Sequence, residues 1–267
     1  MALEESVTTP PVQPSGLLVP VANPEGVAPL ISIALAAHEA HDPAPRVLAL
    51  VRRPPDGAAP QPAVTPALSA AVDLARAQGV TINPRAVWTD DPARDIVAHA
   101  LQSQVEWVIL GYHRAESGDT LGGVVRGVFE QSERAPHHVG VFIQGTDQPI
   151  ERVFVAVDTR ADGRASLDLA LRIARNNQRS LFALLVKKRM PQHEDELADM
   201  VSAARRGMNG RMHADVLSKR SLNQLMAQTP GRLLIVPRNL ADELGLQLHE
   251  APQGGRNLVV VQGAERA

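Results

Sequence analysis

Short, continuous apolar runs alternate along the chain with segments whose apolar residues recur at helical spacing. Gly16 to Val21 (GLLVPV), Arg46 to Val51 (RVLALV), Trp107 to Leu110 and Val139 to Ile143 are runs of the kind shown by parallel strands covered on both faces. Between the first two, Asn23 and Pro24 signal a helix start, and Val27, Leu30, Ile31, Ala34, Leu35 and His38 share one helical face. The Pro-rich stretch RRPPDGAAPQP must be a loop. Val64 to Gln78 predicts a second helix stopped by Gly79. Val80 to Trp88 predicts a weak strand, and Pro84 places it at a sheet edge, where a missing N–H does little harm. Asp91 and Pro92 read as N-cap and first residue of a third helix with Ile96, Val97, Ala100 and Leu101 inward. After Gly111 a polar loop leads to a fourth helix from about Leu121 to Arg134.

The order β-α-β-α-β-α-β-α-β then starts again. Arg152 to Asp158 (RVFVAVD) opens a second pass, followed by a helix from about Ser166 to Asn177, a strand at Leu181 to Val186 and a helix from His193 to Arg206. A weak strand near Met212 to Val216, a short helix around Leu222 to Ala227, and strands at Leu233 to Val236 and Leu258 to Val261 complete it. The fold class is α/β, expected as two tandem, doubly wound, parallel five-stranded sheets. The expected division is a disordered leader over residues 1–15, a first domain over 16–145 and a second over 150–267, with GTDQP between them.

Composition narrows the function. The chain has 267 residues, enough for two ordinary domains, and a formal charge of -2, which carries no footprint for nucleic acid. Cys is 0, so thiolate chemistry and disulfides are excluded. Aromatic content of 3% leaves the core to aliphatic residues and argues against base-stacking platforms. The acidic, Pro-containing beginning lacks the pattern of a signal peptide, and no segment has the apolar length of a membrane span. A cytoplasmic location without membrane insertion is expected.

The stretch WVILGYHRAESGDTLGGVV, from Trp107 to Val125, is a strand, a loop and a helix start. In an open parallel sheet such a unit presents backbone N–H groups and a helix dipole at the carboxyl edge, favouring an anion such as phosphate. The same pattern also serves as an ordinary βα connection.

GLLVPVANPE, the segment DPARDIVAHALQSQVEWVILGYHRAESGDTLGGVVRGVFEQSERAPHHVGVFI and, in the second pass, RVFVAVDTRADGRASLDLALRIARNNQRSLFALLV together resemble the universal stress protein family in tandem, degenerate form. The resemblance implies the adenine nucleotide alpha-hydrolase-like sheet with strand order 3-2-1-4-5, and covers most of the chain from Gly16. The opening strand and duplicated layout are also similar to the cytosolic regulatory tails of some bacterial cation:proton antiporters and amino-acid transporters, implying a soluble tail or stand-alone relative with a membrane transporter or another protein as partner.

In nucleotide-binding members an Asp at the end of the first strand meets the adenosine, and a glycine loop after the fourth strand, closed by Gly and Ser or Thr, holds the phosphates. Transferred residue by residue, the cofactor-binding set is Ala22, Asn23, Gly111, His113, Arg114, Gly122, Gly123 and Val124. Departures are evident. Ala22 and Asn23 stand where the Asp would be, Arg114 replaces the second glycine, and Val124 lacks the hydroxyl. Asn23 can still hydrogen-bond a ribose or base, and His113, Arg114 and Arg126 could substitute charge-assisted contacts for amides. ATP, AMP and cyclic di-AMP all remain open as ligands, with no metal beyond Mg accompanying ATP. The second pass keeps an acid, Asp158, but follows LLIVP with Pro237 and Arg238 and no glycine loop, so it is expected to bind nucleotide poorly or not at all.

No nucleophile with its base is evident, and His137 and His138 adjoin, which points them to opposite faces and away from a shared metal. The expected function is a non-enzymatic stress-response or regulatory module. The alternatives are an interaction domain with a decayed site and, third, a slow ATPase. Single-repeat members of the family pair through their last strands, so the resemblance implies pairing of Val139 to Ile143 with Leu258 to Val261 as an intrachain pseudo-dimer, and a homodimer stays open.

Overall fold

The computed structural model describes residues 14–54, 62, 64–112, 122–186, 194–217, 231–244 and 257–264. In the first part of the chain the strands are β1 (Leu17–Val21), β2 (Arg46–Arg52), β3 (Asn83–Thr89), β4 (Trp107–Gly111) and β5 (His138–Ile143). They alternate with α1 (Val27–Ala37), α2 (Pro66–Ala77), α3 (Pro92–Gln102) and α4 (Gly123–Gln131). The second part comprises β6 (Arg152–Val157), α5 (Ala161–Asn176), β7 (Ser180–Val186), α6 (Glu194–Arg206), β8 (Met212–Leu217), β9 (Arg232–Pro237), α7 (Arg238–Leu244) and β10 (Asn257–Gln262).

Local chemistry accounts for many of these boundaries. The Asp91 carboxylate accepts from Arg94 N at 3.1 Å and Thr65 Oγ1 accepts from Leu68 N at 3.2 Å, each followed by Pro at the first helical turn. Asn23 and Pro24 start a 3₁₀ turn, Pro24–Gly26, ahead of α1, and His38 is the C-cap of α1 and not a member of its face. α4 is shorter than its apolar pattern suggests. The expected helix around Leu222 to Ala227 lies outside the described residues.

All ten strands form one sheet in the order β3-β2-β1-β4-β5-β10-β9-β6-β7-β8. Each half has the 3-2-1-4-5 order, and the two expected five-stranded sheets are joined through a single antiparallel pair. That pair is β5 and β10, with Leu258 opposite Ile143, Val260 opposite Val141 and Gln262 opposite Val139. Strand residues alternate between the faces. Leu17, Val19, Trp107, Ile109, Val153, Val155 and Val259 pack with α1, α2, α5 and α6 on one face. Leu18, Val108, Leu110, Phe154, Ala156 and Val260 pack with α3, α4 and α7 on the other. Pro84 falls in β3, at one edge of the sheet.

Beyond the apolar layers, a polar network crosses the seam between the halves. Arg172 of α5 is 8% exposed and reaches Glu106 at 2.5 Å, Asp168 at 2.9 Å and Asp42 at 3.5 Å. Burial works against its charge, but Asp168 and Glu106 more than offset that, and its pKa is raised. Asn176 Nδ2 donates to the carbonyls of Ala36 (2.9 Å) and His38 (2.7 Å), satisfying the end of α1 from the other half. Arg175 meets Glu39 at 2.7 Å in a more exposed setting.

Removing the buried cation strands the carboxylates, and Arg172→Met is expected to lower stability by about 3 kcal/mol. Arg175→Met should cost less than about 1 kcal/mol, as for exposed pairs. Urea denaturation midpoints of the two variants check the contrast, and equal losses would contradict it.

Candidate functional site

The carboxyl edge of the first half gathers those residues singled out from the sequence that the structure describes in this half. β1 lies between β2 and β4, where the order of connection reverses, and it pairs with β4 only at Leu17↔Trp107 and Leu18↔Val108. Pro20, which has no N–H to give, lies just beyond the last pair. The strands thus lose their hydrogen bonds toward their carboxyl ends, which is where open α/β sheets form a ligand crevice.

Ala22 and Asn23 leave β1 at this edge with exposed side chains. Asn23 Oδ1 accepts from Glu25 N at 3.2 Å, so its oxygen is engaged in the 3₁₀ turn while its amide group keeps donors. Gly111 ends β4, and a Cβ there would come within 3.3 Å of Leu30 Cδ2, so close packing against α1 also favours glycine. Gly122 is the N-cap of α4 with φ of 55°, a conformation glycine tolerates best, and among the described residues no side chain caps the helix. Gly123 is the first residue of α4, and Val124 beside it is 40% exposed. The fold therefore brings Ala22, Asn23, Gly111, Gly122, Gly123 and Val124 to one edge. His113 and Arg114 lie outside the described residues.

The corresponding edge of the second half is built differently. β6 stays paired to β9 through Val155↔Ile235, two pairs further than β1 to β4. Asp158 is buried, and its Oδ1 accepts from Arg160 N at 3.1 Å, which is turn chemistry. α5 begins at Ala161, five residues before the expected Ser166, because Gly163 packs directly on Asp158 where a Cβ would collide with that residue's backbone. β9 passes without a loop into α7, a helix that the sequence pattern did not suggest.

The residue the sequence reading missed is Asp162. Its carboxylate accepts from Gly263 N at 2.8 Å and from Asn239 N at 3.4 Å, gathering the ends of β10 and β9 onto the first turn of α5. Burial raises its pKa, and the two amide bonds and Arg238 only partly counter this. A side-chain anion already sits on amides of this rim. In the first half the residue at the same distance past the strand is Gly26, which has no side chain to offer.

His137 and His138 take separate partners. His138 Nδ1 accepts from Ala264 N at 2.8 Å across the seam, and its ring lies 4.7 Å from that of Trp107. His137 Nε2 is 3.0 Å from Ser132 Oγ, and burial holds its pKa down at about 4. Among the described residues no group of three or more His, Asp or Glu is placed to hold a metal ion.

No protein-family model matches the sequence, and no curated protein matches it. Among solved structures, a universal stress protein from Archaeoglobus fulgidus is 14% identical, with a TM-score of 0.56 over 95% of this chain and 98% of that one. The cytoplasmic domain of a prokaryotic cation chloride cotransporter is also 14% identical, with a TM-score of 0.61 over 94% and 96%. The chain has the universal-stress-protein-like α/β fold. Among the described residues no helix is long and apolar enough to cross a membrane.

The depressed pKa of His137 has a signed consequence. Between pH 6.5 and 4 the unfolded chain binds a proton that the folded chain does not, so this contribution is complete above about pH 6.5 and is lost as pH falls toward 4. The shift corresponds to on the order of 3 kcal/mol. Burial lowers His38 and His99 as well, so His137→Gln should flatten the stability profile over this range without abolishing its slope. Urea melts across that pH range measure it; an unchanged profile would rule the assignment out.

Proposed function

We propose that the chain is a non-enzymatic regulatory module that binds one adenine nucleotide in its first half and acts on a protein partner, with a membrane transporter as the class of partner. The observation that carries the reading is the contrast between the two rims. In the first half the strands part early, α4 has no side-chain cap among the described residues, and Gly26 stands at the chain position where the second half has Asp162. In the second half Asp162 occupies the amides of Asn239 and Gly263.

In this reading the amides around Gly111, Gly122 and Gly123 hold phosphate and the Asn23 amide meets the ribose or base, while His113 and Arg114 add positive or neutral donors. ATP, AMP and cyclic di-AMP share the chemistry required. The likeness to a transporter cytoplasmic domain supports the regulatory role through the fold alone.

A second reading, an interaction domain with a decayed site, is favoured by the engagement of Asn23 Oδ1 in its own turn and by the absence of an acid at Ala22. Calorimetric titration with ATP, AMP and cyclic di-AMP separates the two. The expected result is one equivalent of at least one nucleotide. Val124→Asp, which adds a carboxylate to the first turn of α4 without straining it, should weaken binding roughly tenfold or more. Silence from all three nucleotides would leave the interaction reading.

A further inference from the structure

The seam between the halves carries a second concentration of positive charge, away from the first-half rim. Glu133 and Arg134 follow α4, Arg160 and Asp162 lie at the start of α5, and Arg238 opens α7. Together they face a cleft of about 590 Å³, within the usual size range of small-molecule sites.

The charges in this cleft are not equally committed. Asp162 is held by two amides. Arg238 lies over the Phe129 ring, 4.8 Å from its centroid, bonds Gln262 and is 3.9 Å from Glu133. Gln262 in turn donates from Nε2 to Phe129 O at 3.0 Å, so Arg238 is fixed in place from two sides. Arg134 and Arg160 are exposed and have no carboxylate within ion-pair distance among the described residues. A second cleft on the seam, of about 440 Å³, is lined by one acid, Asp147, and one base, Arg179, and has no such excess.

We infer that the cleft between Arg134, Arg160 and Arg238 is a binding site for a small anion with more than one phosphoryl group. Three arginines from three separate segments line one concave space, against the two carboxylates of Glu133 and Asp162. That arrangement suits a compact multivalent oxyanion, since each planar fork can take two oxygens of a phosphoryl group. Arg134 belongs to the first half and Arg160 and Arg238 to the second, so the bound anion ties the halves together. The site lies on the carboxyl rim of the second half, beside the amides of Asn239 and Gly263 that Asp162 already holds, and is independent of the first-half glycine rim.

Titration of the full chain with inorganic pyrophosphate tests the inference, with orthophosphate as the comparison. Pyrophosphate should bind with one equivalent, more tightly than orthophosphate, and should weaken as salt rises. It should also raise the melting temperature, because it binds the folded chain. Both free arginines are exposed, so Arg134→Ala/Arg160→Ala should fold normally and lose roughly tenfold or more in affinity. Val124→Asp should leave pyrophosphate binding unchanged, which separates this site from the proposed nucleotide site. Absence of pyrophosphate binding to the unaltered chain, or equal affinity in the double variant, would overturn the proposal. Loss of binding in Val124→Asp would assign the anion to the first-half rim and overturn it equally.

Discussion

The antiparallel pairing of β5 with β10 is the constraint on which the rest of the molecule depends. Each strand would otherwise end its half-sheet with a row of unpaired backbone groups and an apolar face on either side, a hazard that proteins must cover. Paired, both strands are buried along their whole length. The pairing also fixes orientation. Strands within each half are parallel and the halves are antiparallel, so their carboxyl edges, where ligands bind in such sheets, point in opposite directions.

A buried seam must satisfy the polar groups it encloses, and the two ends of β10 show how. At its start, Asn257 Oδ1 accepts from Gly145 N at 3.0 Å and Thr146 N at 3.3 Å, pinning the connection that leaves β5. At its end, Gln262 reaches the Phe129 carbonyl and Arg238, and Ala264 N finds His138. Each bond crosses between sequence-distant segments, and each would leave a buried group unsatisfied if the register slipped. The early start of α5 belongs to the same economy of space. Gly263 lies so close to Ala161 that a Cβ there would strike its backbone, and this contact brings Asp162 within reach of the amides it accepts from. Close packing at the seam thus sets Asp162 on the amides of Asn239 and Gly263.

These facts explain what the sequence disclosed and what it withheld. Continuous apolar runs, Asp91 before Pro92, and Pro84 in a weak strand are local signals, and the strands, the third helix and the edge position follow from them. The pairing of the two terminal strands was legible only through the resemblance to single-repeat relatives that pair by their last strands, since an apolar run shows the need for a partner and not which strand supplies it. α7 was hidden because Pro237 reads as a stop and only seven helical residues follow. Asp162 was hidden for a different reason: in Arg-Ala-Asp-Gly-Arg it reads as a turn or helix-start acid, while its acceptors are contacts set by strands that come much later in the chain. The candidate rim was legible as a set of residues, since topology alone carries Asn23, Gly111 and Gly122 to one edge. Its state was not, because whether amides are open or occupied is decided by side chains elsewhere.

α1 links the first-half rim to one part of the seam, its contacts with α5. Its first turns follow the 3₁₀ turn capped by Asn23, and its Leu30 packs beneath Gly111 at the end of β4. Its last carbonyls are held by Asn176 of α5, and just past its end Glu39 and Asp42 meet Arg175 and Arg172. A helix of eleven residues is too short to absorb displacement by bending, and interiors at crystal-like density do not deform continuously. A ligand that changed the setting of the turn at Asn23 would therefore have to move α1 as a unit. The cost of that movement would fall on the charged contacts with α5, where Arg172 has the most to lose.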